Sequence, residues 1–130
     1  MIILNRSFIS EMEDHARREI PNEACGILAG RSNKVEKVFS CKNVSKNPSS
    51  RYAIAPEELI EIFNDVETCG LEILGFYHSH PSGPTSPSNI DLSEASWHDH
   101  SYVILHSDGM GSWRWNEEKC RFTGEEIRVI

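Results

Sequence analysis

Residues 78–91 connect the end of an apolar strand to the start of a helix, and they read His-Ser-His-Pro-Ser-Gly-Pro-Thr-Ser-Pro-Ser-Asn-Ile-Asp. Side chains on a strand alternate between its two faces, so His78 and His80 project to the same side, about 6.6 Å apart along the backbone. Two imidazoles placed in this way can share one zinc ion, with zinc–nitrogen distances of about 2.0–2.1 Å. The stretch therefore contains half of a zinc site within three residues.

A third ligand follows from the helix at the end of the stretch. The loop 82–87 holds one glycine and two prolines, which restrain it without giving it regular structure. Ser88 suits the N-cap position, and this puts Asp91 in the first helical turn, where its carboxylate can turn back towards the imidazoles. Two histidines and one carboxylate leave a fourth tetrahedral position for water, which is the layout of a catalytic zinc site.

Each of these residues also has a structural interpretation. The histidines could be satisfied polar residues, Ser88 only a helix cap, and Asp91 an acid favoured by the helix dipole. A second His-x-His occurs at His98 and His100, but no restrained loop or suitably spaced acid follows it. We interpret that second pair as part of a surface loop or helix end.

The rest of the chain predicts one α/β domain, with mixed α+β character, over residues 1–130. Hydrophobic periodicity and Gly/Pro punctuation predict strands at 2–4, 24–30, 35–41, 51–54, 71–80, 102–105, 113–115 and 127–130. The same signals predict a helix from a Ser7 cap to residue 20, a helix over 56–69 and a short helix over 89–97, with a turn at 107–109. The buried stripe of the second helix is predicted to contain Leu59, Ile60 and Phe63.

Composition and charge exclude several classes of protein. The chain of 130 residues is 38% hydrophobic and 25% charged, with a net charge of −7. An acidic surface lacks the Lys/Arg-rich face that nucleic-acid binding needs, so we expect no nucleic-acid partner. Apolar runs are too short to cross a membrane and the N-terminal one is too short for a signal sequence, so we expect a cytoplasmic protein.

The cysteines do not form a metal-binding pattern. Four of them are spaced irregularly, without a Cys-x-x-Cys pair, at Cys25, Cys41, Cys69 and Cys120. This excludes a zinc ribbon and a thioredoxin-like motif. In a reducing cytosol they are expected to be free thiols, while a disulfide stays open if the source is a hyperthermophile.

The spacing in residues 78–91, His-x-His-x7-Ser-x2-Asp, resembles the motif of the JAMM (MPN+) metalloproteases. That family also has a glutamate at the start of a strand far upstream, and Glu23 in the segment Asn-Glu-Ala-Cys-Gly-Ile-Leu-Ala-Gly (22–30) fits it. Residues 51–56, Arg-Tyr-Ala-Ile-Ala-Pro, and 75–78, Gly-Phe-Tyr-His, are similar to the compact prokaryotic members. The resemblance spans residues 2–116 and implies a curved mixed β-sheet packed with helices around a cytidine-deaminase-like core.

The resemblance also implies a site and a mechanism. One zinc per chain would be held by His78, His80 and Asp91, and would polarise the substrate carbonyl and lower the pKa of a water. Glu23 would act as general base and acid, and Ser88 would stabilise the oxyanion or hold the water. Strand spacing excludes Glu72, which lies about 20 Å from His78. Without the resemblance, however, nothing selects Glu23 from the fifteen glutamates of the chain.

Members of this family remove ubiquitin-like proteins from targets or trim ubiquitin-like sulfur carriers at a Gly-Gly end. Because the chain lacks long insertions, we expect a prokaryotic-type isopeptidase that acts on a small β-grasp ubiquitin-like protein with a Gly-Gly tail. The first alternative is a processing peptidase for a sulfur-carrier protein, and the second is a non-catalytic scaffold of the same fold. A nucleoside deaminase would need His-x-Glu followed by Pro-Cys-x-x-Cys, and neither occurs. The oligomeric state stays open, a homodimer included.

Overall fold

The computed structural model describes residues 1–107 and 109–130. Eight strands and three helices follow one another along the chain. They are β1 (Ile2–Leu4), α1 (Arg6–Glu19), β2 (Cys25–Arg31), β3 (Lys34–Cys41), α2 (Pro56–Thr68), β4 (Glu72–Ser79), α3 (Asn89–Glu94), β5 (Ser101–His106), β6 (Gly109–Asn116), β7 (Arg121–Glu125) and β8 (Ile127–Val129).

All eight strands form one mixed sheet in the order β7-β6-β5-β4-β2-β3-β1-β8. Strand β4 is parallel to β5 and antiparallel to β2, and β1 is parallel to both β3 and β8. The predicted mixed sheet packed with helices is therefore confirmed. Strand β4, which carries His78, has a hydrogen-bonded neighbour on each side and cannot shift without breaking both pairings.

The two faces of the sheet hold separate hydrophobic clusters because strand side chains alternate. Ile27 and Phe76 face the cluster that includes Ile62 and Val66 of α2. Leu28 and Tyr77, each one residue further along its strand, face the cluster that includes Met12 of α1. Helices α1 and α2 thus cover opposite faces, and the parity of Phe76 places His78 on the face that α2 covers.

Several predicted elements differ in detail from those observed. Helix α1 is capped by Asn5, whose side chain accepts a hydrogen bond from Ser7 N at 2.9 Å, so Ser7 lies inside the helix. Helix α3 ends at Glu94 and not near Trp97, because Ala95 adopts extended backbone angles. The prediction for the buried stripe of α2 was wrong at Ile60, which is 60% exposed.

The remaining differences concern the buried residues of α2, two strands and one turn. Helical spacing from Leu59 leads to Ile62 and Val66, which are the buried residues of α2. Residues 51–54 pair with no strand among the described residues, so the predicted strand is absent from the sheet. Strand β7 was not predicted, since its sequence Arg-Phe-Thr-Gly-Glu is short and polar. The predicted turn at 107–109 includes Asp108, which lies outside the described residues.

Two further expectations can be compared with the structure. All four cysteines are free, with Cys25 and Cys41 buried in the core and the other two exposed, as predicted. Among the described residues, no helix has the length and apolar character that crossing a lipid bilayer requires.

Strand β7 is anchored by a buried carboxylate. The side chain of Glu125 is 6% exposed and accepts hydrogen bonds from groups on β5, β6 and the chain terminus. The donors are Ser101 Oγ (2.5 Å), Ser112 Oγ (2.7 Å), Arg114 Nε (2.8 Å) and the Met1 amino group (3.0 Å). Burial by itself raises the pKa of Glu125, but these hydrogen bonds outweigh it and hold the pKa at about 2.

We predict that Glu125→Gln destabilises the fold by about 3 kcal/mol at pH 7, because one partner of a buried charged network is lost. The folded-state pKa of Glu125 is depressed, so its stabilisation is present above its unfolded pKa and fades as the pH falls. The difference between wild type and variant should shrink to about half by pH 3. Urea unfolding at both pH values checks this, with the exposed Glu126→Gln as the matched control. A constant difference across this pH range would contradict the assignment.

Candidate metal centre

The carboxyl end of β4 positions both motif histidines. His78 is opposite Cys25 of β2 and Ile104 of β5, and it is 1% exposed. His80 follows the strand end, where its backbone N–H donates to the carbonyl of Leu105 at 2.8 Å. The Nε2 atoms of the two rings lie 3.1 Å apart. The strand geometry therefore brings the two imidazoles together as the sequence predicted.

The loop after β4 fixes the tautomer of His80. Its Nδ1 atom lies 2.7 Å from the carbonyl oxygen of Pro84, which can only accept a hydrogen bond, so Nδ1 carries the proton. The Nε2 atom then faces His78 and Asp91 and is the nitrogen that a metal would use. A ligating histidine typically donates its other N–H in this way, which fixes the orientation of its ring.

Asp91 joins the histidines from the start of α3. Ser88 caps this helix: its hydroxyl accepts from Asp91 N at 3.1 Å, and its own N–H donates to Asp91 Oδ2 at 2.9 Å. The Asp91 carboxylate lies 3.2 Å from His78 Nε2 through Oδ1 and 3.0 Å from His80 Nε2 through Oδ2. The capping box therefore holds the carboxylate against both imidazoles.

The charge state of this trio suits a cation. Burial raises the pKa of Asp91, but its hydrogen bonds to the imidazoles outweigh that effect and bring the pKa well below the usual range. Burial lowers the pKa of His78, which favours the neutral, ligating imidazole. Burial also lowers the pKa of His80, but its hydrogen bonds to Asp91 and to the Pro84 carbonyl outweigh that effect and raise it. Two imidazoles and an ionised carboxylate converge on one point, and two His plus a carboxylate is a donor set that catalytic zinc uses.

Glu23 stands beside the trio, just before β2. It is 4% exposed, and its Oε1 atom has no hydrogen-bond partner among the described residues. Burial raises the pKa of Glu23 to about 7, with Asp91 and Glu94 adding to the rise while His80 opposes it. A buried carboxylate oxygen without a partner is costly and indicates a ligand or water that completes the site.

Two carboxylates are therefore candidates for the third ligand. Glu23, His78 and His80 offer ligand atoms that all lie within 4.8 Å of one another. Asp91 contacts both ring nitrogens, at 3.0 and 3.2 Å. These direct contacts favour Asp91 as the ligand. The Oε1 atom of Glu23 has no hydrogen-bond partner among the described residues, which leaves it available to act through a water.

Contacts that hold Glu23 in place were largely missed from the sequence. Ser79 lies between the two histidines, but its side chain faces the other way and accepts from Ala24 N at 2.8 Å. Asn43 Nδ2 donates to the Glu23 carbonyl at 3.0 Å. A polar loop residue such as Asn43 carries no local signal of this role, since its partners lie elsewhere in the chain.

The surroundings of the trio form a groove. The Tyr52 ring stacks on His78, with ring centroids 4.6 Å apart and an interplanar angle of 27°. A cavity of about 110 Å³ beside the trio is lined by Tyr52, His78, Asp91, Glu94 and Tyr102. It adjoins an apolar trough that shares Tyr52, Glu94 and Tyr102 and extends to Ile54 and Trp97.

The second His-x-His pair lies apart from this site. His98 Nδ1 accepts from Glu117 N, and His100 Nδ1 donates to the carbonyl of His98, in the connection between α3 and β5. Glu72 is an exposed residue at the opposite end of β4 from the histidines. Neither contributes to the trio, in agreement with the sequence interpretation.

Comparison with known proteins gives consistent matches. Residues 5–116 match the family described as prokaryotic homologs of the JAB domain. The chain is 36% identical to the desampylase of Haloferax volcanii, over 95% of this chain and 86% of that protein. It is 35% identical to the probable TtuB-protein conjugate cleaving protease of Thermus thermophilus, over 100% and 82%.

A more distant relative and a solved structure complete the comparison. The chain is 29% identical to the CysO-cysteine peptidase of Mycobacterium tuberculosis, over 81% of this chain and 73% of that protein. The solution structure of protein DSY2949 from Desulfitobacterium hafniense superposes with a TM-score of 0.88 at 32% identity, covering 100% of this chain and 93% of that one.

We predict that Asp91→Ala lowers zinc affinity by more than about 100-fold, because loss of a group that merely supports a ligand already costs about 10–100-fold. Elemental analysis and titration against a chelating dye measure this. Asp91→Asn separates the two roles of the residue, since its amide oxygen can still accept from Ser88 N and preserve the cap.

The matched controls for this prediction are Asp99→Ala and His98→Ala, which alter an acid and a histidine outside the trio. Both should bind zinc as the wild type does. Equal zinc affinity in wild type and Asp91→Ala would remove Asp91 from the site.

Proposed function

Because the chain belongs to the prokaryotic JAB family, a compact branch of the JAMM (MPN+) proteins, we propose that it is a zinc-dependent isopeptidase that hydrolyses the amide after the Gly-Gly tail of a ubiquitin-like β-grasp protein. The observation that carries this proposal is the convergence of His78, His80 and Asp91 beside the buried, unpartnered carboxylate of Glu23. Two of its relatives are named as a desampylase and as a probable TtuB-protein conjugate cleaving protease.

We assign one zinc per chain to His78, His80 and Asp91. When bound, zinc supplies a Lewis acid that polarises the substrate carbonyl and lowers the pKa of a water. The three side chains contribute orientation: His80 is fixed by Pro84, Asp91 by the Ser88 cap and His78 by two neighbouring strands and the Tyr52 ring. Such support keeps a site at the geometry that its chemistry requires.

Glu23 is assigned the proton transfers. Burial raises its pKa to about 7, so near neutral pH it exchanges a proton readily in either direction. It takes a proton from the attacking water and delivers it to the leaving amine. Its Oε1 atom, which has no partner among the described residues, is the oxygen available for that exchange.

We assign to Ser88 the stabilisation of the oxyanion. Its hydroxyl oxygen accepts from Asp91 N, and the hydroxyl hydrogen has no acceptor among the described residues. That hydrogen can be donated to the oxygen on which negative charge develops when the amide carbonyl is attacked. The helix cap therefore serves both the fold and the reaction.

The tail-binding segment is assigned to residues 51–54. Ala53 bonds to residues 43 and 44 through its N–H and C=O, whereas the backbone groups of Tyr52 and Ile54 have no partner among the described residues. Adjacent residues of an extended chain would point their backbone groups to opposite sides, and the alternation of bonded Ala53 with unbonded Tyr52 and Ile54 leaves one edge of the segment unpaired among the described residues. An extended peptide can add to such an edge by main-chain hydrogen bonds.

A second candidate function is trimming of a ubiquitin-like sulfur carrier at its Gly-Gly end. It is favoured by the similarity to the CysO-cysteine peptidase. Both candidates use the same acyl side of the scissile bond and differ in the leaving amine. A non-catalytic scaffold is disfavoured because the three ligand candidates and Glu23 are all present and close together.

We place the enzyme in the cytoplasm.

We predict that Glu23→Gln retains zinc and fold but lowers turnover by at least about 100-fold, since an amide hydrogen-bonds a water yet cannot accept its proton. Zinc content, thermal unfolding and cleavage of a carrier conjugate are measured side by side. His98→Ala and His100→Ala are the controls and should leave the rate nearly unchanged. Turnover near that of wild type in Glu23→Gln would show that another group is the base.

We predict that cleavage requires glycine at both positions before the scissile bond. Strand-like docking beside the metal leaves little side-chain room, and glycine permits the closest backbone approach. One carrier is prepared with Gly-Gly, Gly-Ala and Ala-Ala ends, each joined to a lysine amine or to a short C-terminal extension. Equal rates for the Gly-Gly and Ala-Ala ends would overturn the assignment of residues 51–54 as the tail-binding segment. A preference for one linkage decides between deconjugation and carrier processing.

A further inference from the structure

Asn43 follows β3 and makes more side-chain hydrogen bonds than any other asparagine in the described part of the chain. Its Nδ2 donates to three backbone carbonyls, and its Oδ1 accepts from two backbone N–H groups. The carbonyls are those of Glu23 (3.0 Å), Arg51 (3.1 Å) and Pro48 (3.3 Å), and the N–H groups are those of Ser45 (3.0 Å) and Ala53 (3.2 Å).

These contacts link two segments that the sheet does not hold. Strand β2 begins at Cys25, so the backbone of Glu23 lies outside the sheet ladder. Its N–H donates to the Pro48 carbonyl at 2.7 Å, and its carbonyl accepts from Asn43. Residues 51–53 are likewise outside any strand, and Asn43 bonds to both ends of that short run.

We propose that Asn43 is a positioning residue that fixes the Glu23 carboxylate relative to the tail-binding segment 51–54. The proposal rests on the proposed roles of Glu23 and of that segment. Proton transfer to the leaving amine requires the base and the scissile amide to keep one geometry, and the amide is placed by the segment. Because the Asn43 side chain bonds to the backbone of Glu23 and to that of the segment, it restricts the movement of one relative to the other.

The cost of losing this link follows from the sensitivity of reactions to geometry. A displacement of about 1 Å at a reacting group can cost about 100-fold in rate. Asn43→Ala removes all five contacts, and Asn43→Asp replaces the amide donor by an oxygen that faces three carbonyl oxygens. Neither variant touches the trio of His78, His80 and Asp91, so zinc binding should be preserved.

The test is a double-mutant cycle of Asn43→Ala and Glu23→Gln. The rate of cleavage of a Gly-Gly carrier conjugate is measured under single-turnover conditions with saturating enzyme, which keeps slow variants measurable. We expect Asn43→Ala to lower the rate about 10- to 100-fold in the wild-type background. In the Glu23→Gln background it should change the rate less than about twofold, because groups that act as a unit are not additive.

A second arm measures affinity for the uncleaved conjugate in the Glu23→Gln background. Because Asn43 also holds Arg51 and Ala53, Asn43→Ala should weaken this affinity although the rate at saturation is unchanged. Asn43→Asp is carried through both arms in case the alanine variant folds poorly, and thermal unfolding is recorded for each. Asn47→Ala is the matched control, since Asn47 is an exposed asparagine of the same loop, and it should resemble wild type.

The outcomes separate the inference from the proposed function. The same fractional loss of rate in both backgrounds would show a general structural role and overturn the positioning role. A rate of Asn43→Ala and Asn43→Asp within about twofold of wild type would also overturn it. If Glu23→Gln itself cleaves at the wild-type rate, the assignment of the base fails, and the inference that depends on it fails with it. An unchanged affinity in the second arm would remove the segment 51–54 from the proposal.

Discussion

Two imidazole nitrogens and a carboxylate meet at one point at the carboxyl end of β4. The loop after this strand and the start of α3 hold them in that position. His78 Nε2, His80 Nε2 and the Asp91 carboxylate are 3.0–3.2 Å apart. Groups that carry lone pairs or negative charge are costly to bury at such distances unless a cation or proton lies between them. The chain offsets that cost locally, with the Pro84 carbonyl behind His80 and the Ser88 cap behind Asp91.

Because side chains alternate along β4, the two faces of this strand have different roles. Phe76 packs on the α2 side and His78 lies on the same face, where Tyr52 covers its ring. Tyr77 faces α1, where His15 Nδ1 lies 2.7 Å from its hydroxyl, and Ser79 accepts from Ala24 N. One strand therefore supplies ligand candidates on one face and anchors both α1 and the Glu23 segment through the other.

The convergence of His78, His80 and Asp91 could be predicted from the sequence because the three residues lie within a stretch of fourteen. A strand of period two and a capped helix fix the relative directions of His78, His80 and Asp91 without knowledge of the rest of the fold. Glu23 lies 55 residues upstream of His78. No local pattern distinguishes it from the other glutamates, so the resemblance to a family was needed. Asn43 was missed altogether because its five partners come together only in the folded chain.

The predicted strand at residues 51–54 differs from the other misplaced elements because its error is informative. The pattern Arg-Tyr-Ala-Ile favours an extended backbone, and in the structure Ala53 of this segment is bonded to residues 43 and 44. Among the described residues, nothing pairs with the backbone groups of Tyr52 and Ile54. Strand β7, by contrast, has a weak pattern yet is paired along its length with β6 and held by the Glu125 network. Tertiary partners thus decide whether an extended segment becomes a strand.

Polar groups without a hydrogen-bond partner among the described residues occur near His78, His80 and Asp91, and this location relates the fold to the proposed chemistry. The buried carboxylate of Glu125 has four hydrogen-bond donors, whereas Glu23 Oε1, which is also buried, has none among the described residues. The unpaired backbone of Tyr52 and Ile54 lies at the same end of the molecule as Glu23. Natural sequences depart from local consistency mainly at functional sites. A carboxylate oxygen and a run of backbone groups, both without partners among the described residues and both close to His78, are what hydrolysis of an extended tail would use, since the substrate would supply the missing partners.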